Sequence, residues 1–306
     1  MKRKVIQIAD STQLISLPRK WALQHNIRKG DELDVAENGD RLSIYASSRQ
    51  ELKRKEIDIS DLATILPRLL HALYKTGYDE VRLIYSNPES LEIIQRKLHD
   101  EIIGFEIVEQ RQQYCVIRAF AEGIESEFDI VLRRIFLMLK SFFDGLLEAF
   151  QKRDMSILRT AQKLEISNNK YTSHCRRIIN KGHFSQGNAM LMYCTVEELE
   201  KIADEGKYLC SSLIESPKLL DEISGECENL FRKLDKIFDD VYTVFYKYDI
   251  AKCVEIFNRR KALVKEIKEL RQARPCSDAD ILLIHYFVVM LQKIINVADF
   301  KFQMEI

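Results

Sequence analysis

The chain has 306 residues, with 47 basic and 47 acidic side chains and a formal net charge of zero at pH 7. A hydrophobic content of 46% argues against a disordered or fibrous chain, and at about 150 residues per domain two or three domains are expected. The zero net charge argues against a chain that is basic throughout, although a global sum can hide a local basic patch.

Glycine and proline are scarce, with 10 and 5 residues, so long and mainly helical elements are expected. No run of about 18 apolar residues occurs, which predicts no membrane insertion, and the basic N-terminus lacks the apolar stretch of a signal peptide. The seven scattered cysteines form no C-x-x-C pair and predict reduced thiols in a cytoplasmic protein.

The charge is unevenly distributed near the N-terminus. Residues 1–30 carry seven cationic side chains and one carboxylate, a net charge of +6. Residues 31–46 carry five carboxylates and one arginine, a net charge of −4. The neutral total therefore conceals a basic segment at the start of the chain.

Residues 1–46 predict a β-β-α-β-β unit. Alternation of apolar and polar residues and turn residues place the strands at 5–9, 14–17, 32–36 and 41–45, with a helix between Pro18 and His25. The proline suits a first helical position, and Asn38-Gly39 is typical of a two-residue hairpin turn. A unit of this size cannot bury its apolar faces alone, and intertwining two copies would solve that problem.

This unit contains two distinctive sequence motifs, Leu17-Pro18-Arg19-Lys20-Trp21 and Lys29-Gly30-Asp31-Glu32-Leu33. With the order of elements, they resemble the swapped-hairpin DNA-binding domain of the AbrB/SpoVT family. The resemblance implies an obligate homodimer, in which interleaved hairpins form a β-barrel and present a basic face to DNA.

The predicted DNA contacts, to phosphates or a groove, are Lys2, Arg3, Lys4, Arg19 and Lys20. Each phosphate contact releases counterions, so DNA affinity should fall steeply as the salt concentration rises. The alternative for any one of these cations is a solvated surface position. Arg28 and Lys29 lie beside an acidic turn, where local pairing is the alternative.

Residues 47–122 predict a small α+β domain. A polar linker over 47–56 is followed by a helix over 62–74 that Gly77 ends, a strand over 80–85, a helix that starts at Ser86-Asn87-Pro88-Glu89, and strands over 105–109 and 114–120. The domain is either a ligand-sensing module or a spacer that stabilises the dimer, and the spacer is favoured because no glycine-rich phosphate-binding loop occurs.

Residues 123–306 predict a helical bundle. Amphipathic stretches place six helices near 126–153, 155–181, 188–215, 219–248, 250–273 and 278–304. A constant offset of 95 residues aligns Phe143 with Phe238, Phe150 with Phe245 and Asp154 with Asp249. This internal similarity predicts two three-helix repeats in tandem.

Two three-helix repeats that follow an AbrB-like domain resemble the PhoU family, in the form of the archaeal-type phosphate uptake regulator. The resemblance implies a multidomain, mainly α protein with a PhoU-like six-helix bundle. PhoU-family bundles carry E/D-x-x-x-D motifs that bind metal ions. Here the second helix offers only Glu165 and Asn169, their partners at the offset of 95 are Arg260 and Val264, and the third helix keeps Glu200 and Asp204. No metal and no cofactor are therefore expected.

The sequence predicts a cytoplasmic, homodimeric, DNA-binding transcriptional regulator, with phosphate uptake implied by the resemblance alone. One alternative is an adaptor that contacts a phosphate transporter or sensor kinase, with the hairpins serving only dimerisation. Another is an antitoxin-like repressor, against which the long bundle argues. No enzyme is expected, because no P-loop, Rossmann fingerprint, H-E-x-x-H or G-x-S-x-G motif occurs.

Overall fold

The computed structural model describes residues 2–8, 12–38, 41–45, 52–120, 128–182, 188–273 and 275–306. The protein is mostly helical, and it divides into two compact units, Met1–Leu52 and Lys53–Ile306. The predicted turn residue Gly39 and residues 47–51 of the predicted linker lie outside the described residues.

The first unit contains two antiparallel hairpins and one short helix, in the predicted order. β1 (Val5–Ile8) pairs with β2 (Thr12–Ile15), α1 spans Arg19–Gln24, and β3 (Asp34–Asn38) pairs with β4 (Arg41–Tyr45). Each hairpin is a separate two-stranded sheet. A two-stranded hairpin is at best marginally stable alone in water, so neither hairpin supplies a core of its own.

The second unit begins with a four-stranded sheet and two helices. These elements are β5 (Arg54–Asp58), α2 (Leu66–Lys75), β6 (Glu80–Ile84), α3 (Pro88–Glu101), β7 (Phe105–Gln110) and β8 (Tyr114–Ala119). The strand order is β5-β6-β8-β7, with β5 parallel to β6 and the other neighbours antiparallel. The predicted start of α3 is confirmed, because the Asn87 side chain accepts a hydrogen bond from the Glu89 N–H at 2.9 Å.

Two predictions in this region are wrong. The end of the predicted polar linker forms strand β5, which the hydrophobic pattern missed because an edge strand with four exposed residues out of five needs few apolar side chains. Helix α2 begins at Leu66, four residues later than predicted, with Pro67 in its first turn.

Long helices form the rest of the second unit. They are α4 (Phe128–Lys152), α5 (Met155–Gln162), α6 (Leu164–Asn180), α7 (Ala189–Glu215), α8 (Lys218–Asp221), α9 (Gly225–Tyr246), α10 (Ile250–Ala273) and α11 (Asp278–Glu305). The predicted single helix over 155–181 is divided at Lys163 into α5 and α6. The predicted helix over 219–248 is divided too, because Ser224 caps the start of α9 by accepting the Cys227 N–H.

Helices α4 and α9 pack antiparallel through phenylalanines spaced seven residues apart. The ring centroids of Phe136 and Phe245 lie 5.0 Å apart, those of Phe143 and Phe238 5.1 Å, and those of Phe150 and Phe231 5.3 Å. The offset of 95 residues aligns Phe136 with Phe231, Phe143 with Phe238 and Phe150 with Phe245. The first ring pair is therefore equivalent to the last, and the middle ring pair is equivalent to itself. The two helices are therefore related by an approximate twofold exchange centred on Phe143 and Phe238.

Within the described residues, α11 is long and apolar enough to cross a membrane by length and composition alone. Half of its most apolar window is buried inside the protein, and α11 packs chiefly against α7 and α9. The fully buried carboxylate of Asp280 accepts a hydrogen bond from the Ser224 N–H at 3.0 Å. These contacts are typical of the core helix of a folded domain.

Helix α6 joins the sheet to the long helices, because it packs against α2 and α3 on one side and α4 and α7 on the other. It is an unusually polar helix for this position. Its buried polar residues are Glu165, Asn168, Thr172, Ser173, His174, Arg176 and Arg177. Buried polar groups cost free energy unless they are paired, and His174 and Arg177 find partners on α2 while Arg176 finds one on α7.

The contact between α6 and α2 is centred on Arg177 and Asp79. Arg177 donates to the backbone oxygens of Tyr74 and Tyr78 at 3.1 and 2.6 Å and to Asp79 Oδ1 at 2.6 Å. Asp79 also accepts from Lys181 Nζ at 2.9 Å. Burial raises the pKa of Asp79, but the hydrogen bonds from the Lys53 backbone N–H and from Lys181, with the nearby cations, outweigh burial and lower it. A cation of α6 thus caps the carboxyl end of α2.

Candidate nucleic-acid interface

The five cations predicted to contact DNA all lie in exposed positions of the first unit. Three of them precede β1 and two form the first turn of α1; they are Lys2, Arg3, Lys4, Arg19 and Lys20. Exposure leaves these side chains accessible to a phosphate backbone without loss of a packed core.

The register of the first hairpin brings the two groups of cations to one end. Val5, at the start of β1, pairs with Ile15, at the end of β2. Lys4 and the segment that leads to α1 therefore continue from the same end of the hairpin. Pro18 holds an extended conformation, with φ −62° and ψ 122°, immediately before α1. Lys2 to Lys4 thus lie at the end of the hairpin from which the chain continues to Arg19 and Lys20.

In the turn before β3, the Asp31 carboxylate binds a backbone N–H. Asp31 Oδ2 accepts the Arg28 N–H at 2.7 Å, and Gly30 has φ +94°, a conformation that favours glycine. No described carboxylate pairs with the side chain of Arg28 or Lys29. The local pairing considered for these two cations thus takes the form of a hydrogen bond from the Arg28 backbone, and it does not involve either cationic side chain.

The hairpins expose apolar side chains on both faces. Val5 and Ile6 are neighbours that point to opposite faces of β1, yet they are 61% and 54% exposed. The second hairpin also exposes large apolar residues, at Val35 and Leu42. Burying each side chain of this size stabilises a protein by about 1.5–3 kcal/mol. A single copy of the first unit leaves this stabilisation unused.

The carboxylates weighed as remnants of a metal-binding motif are held by cations and amides. Glu165 and Asp204 both contact Lys207 Nζ, at 2.7 and 3.4 Å, and Glu200 pairs with Arg176. Asp299, which the offset of 95 residues aligns with Asp204, accepts a hydrogen bond from Gln303 at 2.8 Å. Among the described residues, no group of three or more His, Cys, Asp or Glu side chains is arranged to hold a metal ion.

Apart from Glu165 and Asn169, which were weighed as metal ligands, the sequence patterns gave no role to the polar residues of α6. The signal that could have found them is the composition of the helix, since cations, amides and hydroxyls occupy positions around most of its circumference. Hydrophobic periodicity assigns such residues to solvent, whereas here Arg176 and Arg177 face two different neighbouring helices.

Comparison with known families supports the interpretation of the first unit. Residues 6–50 match the family model described as "Antidote-toxin recognition MazE, bacterial antitoxin". The match covers the hairpins and α1 and leaves the four-stranded sheet and the long helices unmatched. No curated protein and no solved structure matches the chain. The first unit is thus similar to a MazE/AbrB-like domain, a type compatible with DNA binding or antitoxin-type regulation.

Proposed function

We propose that the chain is a transcriptional regulator that binds DNA through its first unit, as a homodimer. The observation that carries the proposal is the MazE-type match over residues 6–50. The exposed cations at one end of the first hairpin support it, because phosphate contacts by lysine and arginine supply most of the sequence-independent affinity for DNA.

Dimerisation follows from the apolar surface of the hairpins. Each hairpin is isolated within one copy, and both expose large apolar residues. Hairpins interleaved from two copies would bury these residues in a shared β-barrel. Dimerisation would also double the cations available to DNA and arrange them about a twofold axis, which suits a palindromic site.

We place the protein in the cytoplasm and assign it no catalytic activity. All seven cysteines are free, which suits a reducing compartment. Regulation of phosphate uptake, with a PhoU-like bundle that senses or docks a partner, rests on the resemblance of the helical repeats alone. The second possibility for the bundle is an adaptor that contacts a phosphate transporter or a sensor kinase.

Binding to random and promoter DNA as a function of salt tests the proposal. The affinity of the full chain for DNA should fall as the salt concentration rises. In a plot of log K against log salt concentration, each phosphate contact should add roughly −0.9 to the slope. A chain without residues 1–52, with its helical content checked by circular dichroism, should bind neither DNA. Equal affinity and salt slope for the two chains would exclude the first unit as the DNA interface.

The description of the matching family favours one further candidate, an antitoxin. In this case a toxin gene should lie beside the gene of this chain. Expression of that neighbour alone should stop growth, and coexpression of the full chain should restore it. Normal growth with the neighbour expressed alone would leave the transcriptional regulator as the supported function.

A further inference from the structure

The four-stranded sheet has two edges, β5 and β7, that differ in regularity. Strand β7 carries a bulge between Ile107 and Glu109, an irregularity that discourages pairing with a further strand. Strand β5 pairs with β6 over all five of its residues without an irregularity, and it contains no proline. β5 is therefore the edge at which another strand fits best.

Strand β5 directs a row of backbone groups away from the sheet. The Ile59 N–H, one residue beyond the strand, donates to Ile84 O at 2.8 Å. Successive residues of a strand alternate in direction, so the odd-numbered residues of β5 bond to β6. The even-numbered residues point their N–H and C=O groups outward, where no described backbone group pairs with them; they are Arg54, Glu56 and Asp58.

The two ends of β5 carry charges that lack a full counterion. Glu80 is hydrogen-bonded to Arg118 Nε at 2.6 Å, whereas Arg54 Nε lies 3.5 Å from the same carboxylate. Arg54 therefore shares its carboxylate with a closer arginine. At the other end, Asp58 accepts the Ser60 N–H at 3.0 Å, and no described cation pairs with it. One end of β5 is short of a carboxylate and the other is short of a cation.

Antiparallel pairing of β5 with β5 of a second copy would match these two ends. With Glu56 of one copy opposite Glu56 of the other, Arg54 of each copy lies opposite Asp58. Opposite charges that face each other across two strands stabilise a sheet. The two Glu56 carboxylates are compensated within their own copies, because Arg82 Nε lies 3.4 Å from Glu56 Oε2.

The same side chains disfavour the neighbouring registers. Charged residues on an edge strand commonly keep it from pairing with other chains. A shift of the register in one direction would place Lys55 opposite Lys55 of the second copy, and a shift in the other direction would place Glu56 opposite Asp58. Of these three registers, the one centred on Glu56 alone brings the outward backbone groups together with opposite charges at both ends.

We propose that β5 pairs with β5 of a second copy, antiparallel and centred on Glu56, and so joins two four-stranded sheets into one. The contact rests on the homodimer proposed above, because two short strands alone are at best marginally stable in water. β4 ends at Tyr45 and β5 begins at Arg54, so two copies joined through their first units hold their β5 strands at a high effective concentration. The pairing would fix how the two second units are arranged in the dimer.

Disulfide formation in the full chain tests the pairing. A hydrogen-bonded antiparallel pair has Cα atoms about 5.5 Å apart, within the roughly 4.4–6.8 Å that a disulfide spans. Glu56→Cys, oxidised with copper phenanthroline, should therefore run as a covalent dimer on a non-reducing gel. Glu106→Cys, at an exposed position of β7, is the matched control and should not cross-link, and neither should the wild type with its own cysteines.

Charge reversal tests the register. In the Glu56→Cys chain, either Arg54→Asp or Asp58→Arg places like charges opposite each other and should remove most of the covalent dimer. The two reversals together restore opposite charges and should restore the covalent dimer. Within one copy the two positions are about 13 Å apart along the strand, so the rescue cannot come from an ion pair inside one chain.

Two results would overturn the pairing. One is a Glu56→Cys chain that sediments as a dimer when reduced but cross-links no more than Glu106→Cys, which would leave the homodimer through the first unit in place. The other is a double reversal that cross-links no better than either single reversal. The Glu56 side chain is 60% exposed, so its replacement leaves the core intact. A covalent dimer that binds no DNA would support the pairing and contradict the proposed DNA binding.

Discussion

At the scale of single residues, a missing side chain sets the distance between α4 and α7. A Cβ atom at Gly206 of α7 would overlap the ring of Phe142, which is itself buried. Glycine inside a helix costs about 1 kcal/mol relative to alanine, so its presence here is explained by the close approach of the ring. No hydrophobic pattern reveals this, because the constraint comes from a residue 64 positions away.

Gly206→Ala should therefore destabilise the protein, by about 1–3 kcal/mol, since the added methyl group displaces a buried ring. Urea unfolding followed by circular dichroism measures the change in the free energy of unfolding. Gly225→Ala is the control, because a Cβ at the start of α9 meets no atom within 4 Å. That variant should be neutral or slightly stabilising, and a similar gain in Gly206→Ala would contradict the packing argument.

Other single residues were predictable because their roles are local. Asn87 caps α3 through a neighbour two positions away, and Gly77 follows α2 with φ +82°, as its place after a hydrophobic stripe predicts. Arg177 was not predictable, because its partners on α2 and at Asp79 lie about a hundred positions earlier in the chain. The sequence therefore shows these two helix ends but conceals what holds α6 in place.

At the scale of elements, the approximate twofold relation between α4 and α9 fails at one charged position, where Lys140 of α4 is equivalent to Asp235 of α9. Lys140 of α4 pairs with Asp239 of α9 at 2.7 Å. The offset of 95 residues converts Lys140 to Asp235 and Asp239 to Asp144, so the equivalent pair joins two carboxylates. Burial, Asp239 and Asp144 together raise the pKa of Asp235 to about 6. An ion pair between the two helices is thus matched by carboxylate repulsion at the equivalent positions.

The raised pKa of Asp235, caused first by burial and then by the neighbouring carboxylates, predicts a specific dependence of stability on pH. Because the folded protein holds the Asp235 proton more tightly than the unfolded chain, its contribution to stability is complete below about pH 4 and is lost as the pH rises through about 6. Asp235→Asn removes the ionised form and should raise the melting temperature more at pH 8 than at pH 4.

Asp144→Asn should give part of the same gain at pH 8, because it removes one source of the repulsion. The two gains should add to more than the double variant shows, since both relieve one interaction. Equal effects of Asp235→Asn at the two pH values would show that the carboxyl is not titrating between them.

At the scale of the whole molecule, the sequence predicted the order of elements better than it predicted how they join. The β-β-α-β-β unit, the α+β segment and the long helices follow from alternation, turns and hydrophobic stripes, which are local signals. Strand β5 and the polar interface of α6 were not predicted, because both depend on partners that are distant in the chain. The candidate DNA contacts came from the charge distribution and the two short motifs, and they remain a prediction of the sequence.

Dimerisation and DNA binding can be separated by two sets of substitutions in the first unit. Reversing Arg3, Lys4 and Lys20 to glutamate should leave a dimer and abolish DNA binding, because the cations are exposed and take no part in strand pairing. Ile15→Asp should give a monomer, since it places a charge among the apolar residues that a second copy would bury. Sedimentation at micromolar concentration and DNA titration against salt measure the two properties.

The matched control for the triple reversal changes the same number of exposed cations on α10, Lys265, Lys268 and Arg271. The control alters the net charge equally. If the triple reversal in the first unit abolishes DNA binding and the control does not, a general electrostatic effect is excluded. If all three cations contact phosphates in both copies, they supply six phosphate contacts of the wild-type dimer, and each contact adds roughly 0.9 to the salt slope of the wild type. A wild-type chain that sediments as a monomer would contradict the shared barrel, because its hairpins would then keep their apolar faces in water.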